Sequence, residues 1–179
     1  MSFRLFAGLR ILEWFLANPT KRIHFKDLCR TLKLAPLTVK NYCEEFLGQN
    51  WILEDRSANL RIFYLNNEDY RVRAMKRAEI LQILNELKID EIIDEGVISF
   101  ALFGSHASGE FDEKSDIDLL VIGRKENVDY GRAEKLGSTI KKQVQITVIP
   151  MAKWEKNKVS DPFIRSVVKN HVLLKGVSL

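Results

Sequence analysis

The chain has 179 residues, of which 46% are hydrophobic and 29% charged, and its net charge is +4. This length allows one large or two small domains. No stretch approaches the 18 uncharged apolar residues of a membrane span, so we expect a cytoplasmic protein without a signal peptide or transmembrane helix. Cys29 and Cys43 are the only cysteines. They are too few for a cysteine zinc cage, and we expect them to be reduced core residues.

The N-terminal third combines helical patterns with a hairpin pattern. Apolar residues recur at helical spacing in three segments, and two short apolar runs follow around a polar stretch. The predicted helices cover Phe3–Ala17, His24–Leu32 and Pro36–Gly48, and the predicted strands cover Trp51–Leu53 and Leu60–Leu65. Three helices followed by a hairpin resemble the winged helix-turn-helix fold, a mainly α fold, over residues 3–66.

This resemblance implies DNA binding through residues 20–66, with the third helix in the major groove. The implied contacts are Thr38, Lys40 and Asn41 on the helix and Arg56 and Arg61 on the wing. The basic excess also lies in this half, because residues 1–90 carry 15 Lys and Arg against 11 Asp and Glu. Four carboxylates lie close by in the sequence, so a dimerisation module, giving a homodimer, or a docking module for a partner protein stays open as the alternative.

A single amphipathic helix is predicted from Asp69 to Leu87. Its ordinary role is to connect two domains, and a dimer seam is the alternative. We therefore expect a winged helix domain at residues 1–66, a linking helix within 67–95 and a second domain at 96–179.

The second domain is organised around Phe100–Ile122. An apolar strand pattern ends at Gly104-Ser105, ten mostly polar residues follow, and a second apolar strand begins near Asp116. Side chains alternate along a strand, so Asp116 and Asp118 share one face. Two such carboxylates suit Mg²⁺, and the Gly-Ser turn lets backbone amides approach a phosphate.

Gly104-Ser105, ten residues and Asp116-x-Asp118 together resemble the signature of minimal nucleotidyltransferases, in the DNA polymerase beta-like superfamily. The resemblance implies an α/β (α+β) fold with a mixed sheet, and Mg²⁺-dependent transfer of a nucleotidyl group from ATP. Carried over by position, Gly104 and Ser105 would hold the phosphates, and Asp116 and Asp118 would ligate the metals. A third carboxylate is expected on a neighbouring strand.

Two positions depart from that family pattern. The strand predicted at Val144–Ile149 carries Gln145 where the third carboxylate is expected, and an amide adds no charge and cannot act as a base. The arginines that often follow the Gly-Ser are also missing. Phosphate binding would then use backbone amides, Ser105, His106 and Lys114, although an exposed loop histidine is an equal interpretation of His106.

The rest of the second domain alternates helix and strand patterns. Its remaining predicted elements are a helix at Asn127–Gln143, a turn anchored by Trp154 after Pro150, a helix at Phe163–Lys169 introduced by Asp161-Pro162, and a short strand at His171–Leu174.

Three functions remain open from the sequence. The first is an active nucleotidyltransferase whose acceptor, a protein or a small molecule, is selected by the N-terminal domain. The second is a DNA-binding transcriptional regulator whose transferase-like domain senses a nucleotide without turnover, which Gln145 favours. The third is an interaction module, such as the antitoxin half of a toxin pair. The acceptor, the nucleotide and the oligomeric state are not determined by the sequence.

Overall fold

The computed structural model describes residues 6–57 and 60–179. One compact unit ends at Glu79 and the other begins at Ile80. The first predicted helix included residues 3–5, and the predicted hairpin tip included residues 58 and 59. Those positions lie outside the described residues.

Up to residue 65, the described residues of the N-terminal unit form three helices and a small antiparallel sheet. Its elements are α1 (Ala7–Ala17), β1 (Ile23–His24), α2 (Phe25–Leu32), α3 (Pro36–Gly48), β2 (Ile52–Ser57) and β3 (Leu60–Leu65). The strands lie in the order β1-β3-β2. Helix α3 begins at Pro36 because proline fixes a helical φ and lacks only an N–H that the first turn would leave unpaired.

The core of this unit is largely apolar, and it also contains a buried lysine. Its fully buried side chains include Ile11, Phe15, Leu28, Val39, Cys43, Ile52 and Phe63. Lys76 is also buried, and its Nζ donates a hydrogen bond to Asn67 Oδ1 at 3.0 Å. The Asn67 amide in turn donates to the carbonyl oxygen of Pro19 at 2.6 Å. The Asn67 side chain thus links Pro19, which follows α1, to the buried Lys76.

Helix α4 (Tyr70–Glu86) contains the boundary between the units, so its last residues belong to the C-terminal unit. The later elements are β4 (Ser99–Phe103), α5 (Gly104–Ser108), β5 (Ile117–Ile122), α6 (Tyr130–Ile140), β6 (Val144–Ile149), α7 (Met151–Asn157), α8 (Pro162–Lys169) and β7 (His171–Gly176). Short 3₁₀ helices lie at Ile89–Ile92 and Lys125–Asn127.

The four strands of the C-terminal unit form a mixed sheet in the order β6-β5-β4-β7. β5 pairs with β6 in parallel, whereas β4 pairs with β5 and β7 antiparallel. This confirms the expected mixed α/β architecture. Central strand β5 is buried on both faces: Leu119 packs in one apolar cluster, and Leu120 packs in another with Trp154. Burial on both faces explains why its sequence is a continuous apolar run.

Several local predictions differ from the structure. The short strand β1 includes His24, where the second predicted helix begins, and β2 extends to Ser57, beyond the predicted end at Leu53. The turn expected around Trp154 is helix α7, and the Trp154 side chain is buried under the sheet. Helix α6 begins later than predicted because the Asp129 carboxylate accepts a hydrogen bond from the Arg132 N–H at 2.9 Å and caps the helix there. Within residues 6–57 and 60–179, every helix is too short or too polar to cross a bilayer.

Candidate active site

The turn between β4 and α5 brings a carboxylate against the backbone. Gly104 has a φ of +70°, and a Cβ atom at this position would lie 2.4 Å from Asp118 Oδ2. Glycine is therefore required here for two reasons, since it tolerates the left-handed backbone and leaves room for the Asp118 carboxylate. Gly104 and Asp118, the first and last residues of the predicted motif, are thus direct neighbours in space.

Asp118 lies on central strand β5, between two other strands. It is in register with Phe103 on β4 and with Gln145 on β6. Burial raises the pKa of the Asp118 carboxyl above its ordinary value, and the negative charge of Asp116 raises it further. Two like charges at a partly desolvated site are an arrangement that a divalent cation would neutralise.

The third position of the site carries an amide that contacts Asp116. The Gln145 Nε2 donates a hydrogen bond to Asp116 Oδ2 at 2.6 Å. The structure therefore brings together Asp116, Asp118 and Gln145, which the sequence placed on two neighbouring strands. Within the part of the chain that the structure describes, no group of three His, Cys, Asp or Glu side chains could hold a metal ion.

The interpretation of His106 as a solvent-exposed loop residue is wrong. Its side chain has no exposed surface, and its ring stacks on Phe111 with the centroids 4.3 Å apart and the planes 10° apart. The imidazole is thus part of the packing beneath α5 and is not presented to a phosphate in this structure. The side chain was expected in a polar loop, but α5 turns it inward.

The loop between α5 and β5 is a tight, self-bonded turn. Asp112 Oδ1 accepts hydrogen bonds from the Ser115 hydroxyl at 2.9 Å and from the Lys114 backbone N–H at 2.8 Å. These two donors lower the pKa of the Asp112 carboxyl. The Lys114 side chain is exposed, so its ammonium is available at the surface of this loop. Ser105 lies in α5, where its carbonyl oxygen accepts a hydrogen bond from the Glu110 N–H at 3.0 Å.

Sequence reasoning missed two residues beside this site. The Lys142 Nζ lies 3.1 Å from three carbonyl oxygens in the loop that precedes Asp116. The Asn170 Nδ2 lies 3.5 Å from the carbonyl oxygen of Gly104. Each is separated from its partner by at least 27 residues along the chain, so no local pattern could have identified it.

The predicted DNA contacts of helix α3 lie at its surface. Lys40 and Asn41 are exposed and Thr38 is half-buried. Arg56 on β2 is also exposed, and its guanidinium lies 3.4 Å from a Glu54 carboxylate oxygen.

Arg61 does not fit the predicted role of a wing contact. Its guanidinium forms ion pairs with Glu54 and, at 2.7 Å, with Glu44 on α3, and only 25% of its side chain is exposed. The Glu54 hydrogen bond is the main reason that the pKa of Arg61 is raised. Two carboxylates already neutralise this cation, so a phosphate would have to displace them. The sequence could not reveal this, because Glu44 becomes a neighbour only when α3 packs against the hairpin.

The mixed sheet of the C-terminal unit fits a nucleotidyltransferase fold. The family model for the nucleotidyltransferase domain matches residues 77–174, which is more than half of the chain. The chain therefore belongs to the nucleotidyltransferase domain family.

Individual relatives match smaller parts of the chain. A protein of Methanocaldococcus jannaschii, provisionally named a protein adenylyltransferase, is 41% identical over 46 residues, covering 25% of this chain and 46% of the relative. The chain thus spans less than half the length of this curated relative.

Solved structures give weaker matches. A toxin–antitoxin structure with AMP-PNP aligns at 20% identity and a TM-score of 0.34, covering 56% of this chain and 73% of that one. A provisionally assigned nucleotidyltransferase from Sulfolobus solfataricus aligns at 20% identity and a TM-score of 0.28, covering 62% and 86%.

Proposed function

We propose that the protein transfers a nucleotidyl group from Mg²⁺-bound ATP to an acceptor protein. A bond forms between the acceptor oxygen and the α-phosphorus, and the bond between the α- and β-phosphates breaks to release pyrophosphate. The observation that carries this proposal is the meeting of the Asp116 and Asp118 carboxylates beside the Gly104 backbone. The family membership supports the reaction class. The relative named for protein adenylylation supports an adenylyl group and a protein acceptor.

The donor set fits one magnesium ion better than two. Mg²⁺ in nucleotide sites is commonly held by one or two carboxylates together with substrate phosphates, and Asp116 and Asp118 supply such a pair. The raised pKa of Asp118 reflects burial and the negative charge of Asp116, both of which favour a bound cation. Gln145 adds a neutral amide where a second ion would need another carboxylate.

Each group at the site has a distinct role in this proposal. Asp116 and Asp118 would hold Mg²⁺, which when bound neutralises the charge of the triphosphate. The Gly104-Ser105 backbone and the exposed Lys114 would bind the phosphates. The half-buried setting of Asp118 limits water around the charge and so strengthens its electrostatic interactions. Because Gln145 cannot accept a proton, the acceptor hydroxyl would lose its proton to a group other than this amide.

A second candidate function is a DNA-binding regulator that senses a nucleotide without turnover. The specific observation in its favour is the hydrogen bond from the Gln145 amide to Asp116. A neutral donor thus occupies one of the two carboxylates that would bind the metal. In this alternative the three helices and the antiparallel β1-β3-β2 sheet form a winged helix-turn-helix domain. Its candidate DNA contacts are Thr38, Lys40, Asn41 and Arg56.

Calorimetric titration of ATP with and without Mg²⁺, followed by intact-protein mass spectrometry, tests the first candidate. We expect Mg²⁺-dependent binding that is lost in the double variant Asp116→Asn with Asp118→Asn. The matched control, Glu126→Gln with Glu155→Gln, removes two exposed carboxylates elsewhere and should bind as the wild type does. Unchanged binding in the double Asp variant would refute the site assignment.

The adduct decides between the first two candidates. An adenylyl adduct on the protein or on a copurifying partner identifies an enzyme. Strong Mg²⁺-dependent binding without an adduct, tested also with partner proteins, favours the sensor. Absence of ATP binding together with a stable partner complex would instead favour an antitoxin-like interaction module.

Fluorescence anisotropy with duplex DNA at two salt concentrations tests the DNA-binding alternative. Replacing Lys40 with Gln should weaken binding and reduce the salt slope by about 1, because one phosphate contact is lost. Lys153→Gln, at an exposed position of helix α7, removes the same charge from the other unit and should leave binding unchanged. Equal effects of the two variants would indicate that helix α3 does not contact DNA.

A further inference from the structure

Lys142 lies between α6 and β6 and contacts the loop before the proposed metal-binding carboxylates. Its Nζ is 3.1 Å from the carbonyl oxygens of Asp112, Glu113 and Ser115. An ammonium group has three N–H donors, so these three contacts use its whole donor capacity. The residue is half-buried, and its Nζ also lies 5.8 Å from the centre of the Phe111 ring.

The three carbonyl oxygens converge because the loop is folded on itself. The Asp112 side chain accepts hydrogen bonds from the Lys114 N–H and the Ser115 hydroxyl, and this turn directs the carbonyl groups of residues 112, 113 and 115 to one side. Converging carbonyl dipoles repel one another unless a cation lies among them. The Lys142 ammonium therefore stabilises the turn as a bound cation would. Unlike a free ion, this cation is a side chain from a distant part of the sequence.

The clamped loop leads directly into the site. Ser115, whose carbonyl oxygen is the last of the three that accept from Lys142, is the neighbour of Asp116. The next residue along the chain, Ile117, donates its N–H to the carbonyl oxygen of Gln143 at 2.8 Å. The Gln145 amide bonds to Asp116 itself. The segment 142–145 thus holds the start of β5 through three groups, which are the Lys142 side chain, the Gln143 carbonyl oxygen and the Gln145 side chain.

We propose that Lys142 is a positioning residue, which fixes the loop at 112–115 so that Asp116 meets Asp118 at the nucleotide site. This inference rests on the proposed nucleotide-binding function of that site. Lys142 itself touches neither carboxylate directly in these contacts, and it acts through the backbone that carries Asp116. Removing such supporting partners of metal ligands commonly lowers metal affinity or activity about 10- to 100-fold.

The test combines hydrogen exchange with nucleotide titration on the full-length chain. Lys142→Met keeps the apolar stem and removes the three donors, and Lys141→Met is the matched control at the exposed neighbouring lysine. We expect Lys142→Met to exchange the amides of residues 112–118 faster and to bind Mg²⁺-ATP about 10- to 100-fold more weakly. The control should match the wild type in both measurements.

A chemical rescue separates positioning from general destabilisation. Lys142→Ala leaves a space between the stem position and the three carbonyl oxygens, and added ethylammonium can place a cation there. Recovery of slow exchange over residues 112–118 and of nucleotide affinity, with no comparable effect of ethanol, supports the proposal. Wild-type exchange and affinity in Lys142→Met, or failure of ethylammonium to restore either, would overturn it.

Failure of the proposed function gives a different result. If the wild type binds no Mg²⁺-ATP, the nucleotide site is refuted, and the exchange arm alone decides whether Lys142 fixes the start of β5. Faster exchange at 112–118, rescued by ethylammonium, would still support the positioning of Asp116, whereas unchanged exchange would overturn it.

Discussion

Replacing Gln145 with glutamate exchanges a hydrogen-bond donor for a third carboxylate at the start of β6. The two side chains have the same length and shape, so the introduced carboxylate would lie where the Gln145 amide now contacts Asp116 Oδ2 at 2.6 Å. In the absence of a divalent cation, an attractive contact becomes a repulsive one. We therefore expect Gln145→Glu to lower the stability of the C-terminal unit in EDTA.

The expected destabilisation is about 2 kcal/mol. A hydrogen bond to a charged group contributes roughly 1.5–3 kcal/mol, and the exposure of Gln145 favours a lower figure of about 1 kcal/mol. Repulsion between two unit charges 4 Å apart in water adds about 1 kcal/mol. Since 1 kcal/mol shifts the Tm of a small domain by roughly 4–8 °C, the Tm in EDTA should fall by roughly 8 °C or more.

Magnesium should reverse this loss in the variant more than in the wild type. Three carboxylates bind a divalent cation more tightly than two carboxylates and an amide. An ion present at ten times its dissociation constant stabilises the folded protein by about 1.4 kcal/mol. Thermal unfolding of wild type and Gln145→Glu in EDTA and in MgCl₂ measures both effects, and Mn²⁺ titration followed by electron spin resonance counts the bound ions.

A helix of the same protein supplies a matched control. The Gln82 Nε2 donates to Glu86 Oε1 at 3.1 Å on the exposed face of α4, so Gln82→Glu also converts an amide–carboxylate contact into two carboxylates. Like charges at this helical spacing cost only about 0.2–0.5 kcal/mol, and Mg²⁺ should add nothing specific. An unchanged Tm of Gln145→Glu in EDTA, or a Mg²⁺ response equal to that of the control, would refute the reasoning. Because a third carboxylate would bind the divalent cation more tightly, Gln145→Asp should also raise any transferase rate.

Three further changes test the site and the core. Burial and the charge of Asp116 raise the folded-state pKa of Asp118, so its ionisation destabilises the fold as the pH rises through that raised pKa. Asp118→Asn should therefore be more stable than the wild type to urea at pH 7. The difference in stability should vanish in acid below the ordinary pKa range of aspartate. A wild-type advantage at pH 7 would contradict this. Gly104→Ala should lower the free energy of unfolding in urea by about 1–2 kcal/mol, because the backbone is left-handed at this position. The added Cβ should also displace the Asp118 carboxylate and so weaken Mg²⁺-ATP binding. Wild-type affinity would count against the close approach of Gly104 and Asp118. Burial raises the pKa of the Cys43 thiol to about 12, so iodoacetamide at pH 8 should label Cys43 only after unfolding. Peptide mapping separates Cys43 from the less buried Cys29, and rapid labelling of Cys43 in the native protein would show that its burial is wrong.

Patterns that depend on near neighbours were sufficient to predict most elements. The bounds of α3, β3, β5 and β6 follow from apolar periodicity and from Pro36 and Pro150, which act within one turn of their own positions. Helix α7 was missed because a single tryptophan among charged residues gives no helical stripe until the sheet lies beneath it.

The candidate site was partly readable from the sequence. Gly104, Asp116 and Asp118 lie within 15 residues, and strand alternation relates the two aspartates without further information. The side-chain direction of His106 was not readable, because it depends on how α5 packs against Phe111.

The sequence by itself determined the reaction-class motif, the mixed α/β pattern and the amide at position 145, since each is encoded in residue type and local spacing. Only the tertiary structure decided which charges are neutralised and which loops are held. Arg61 is paired with Glu44, Gln145 is bonded to Asp116, and Lys142 closes a loop 27 or more residues away. Such contacts depend on strand register and helix packing, which no local stretch of the chain specifies.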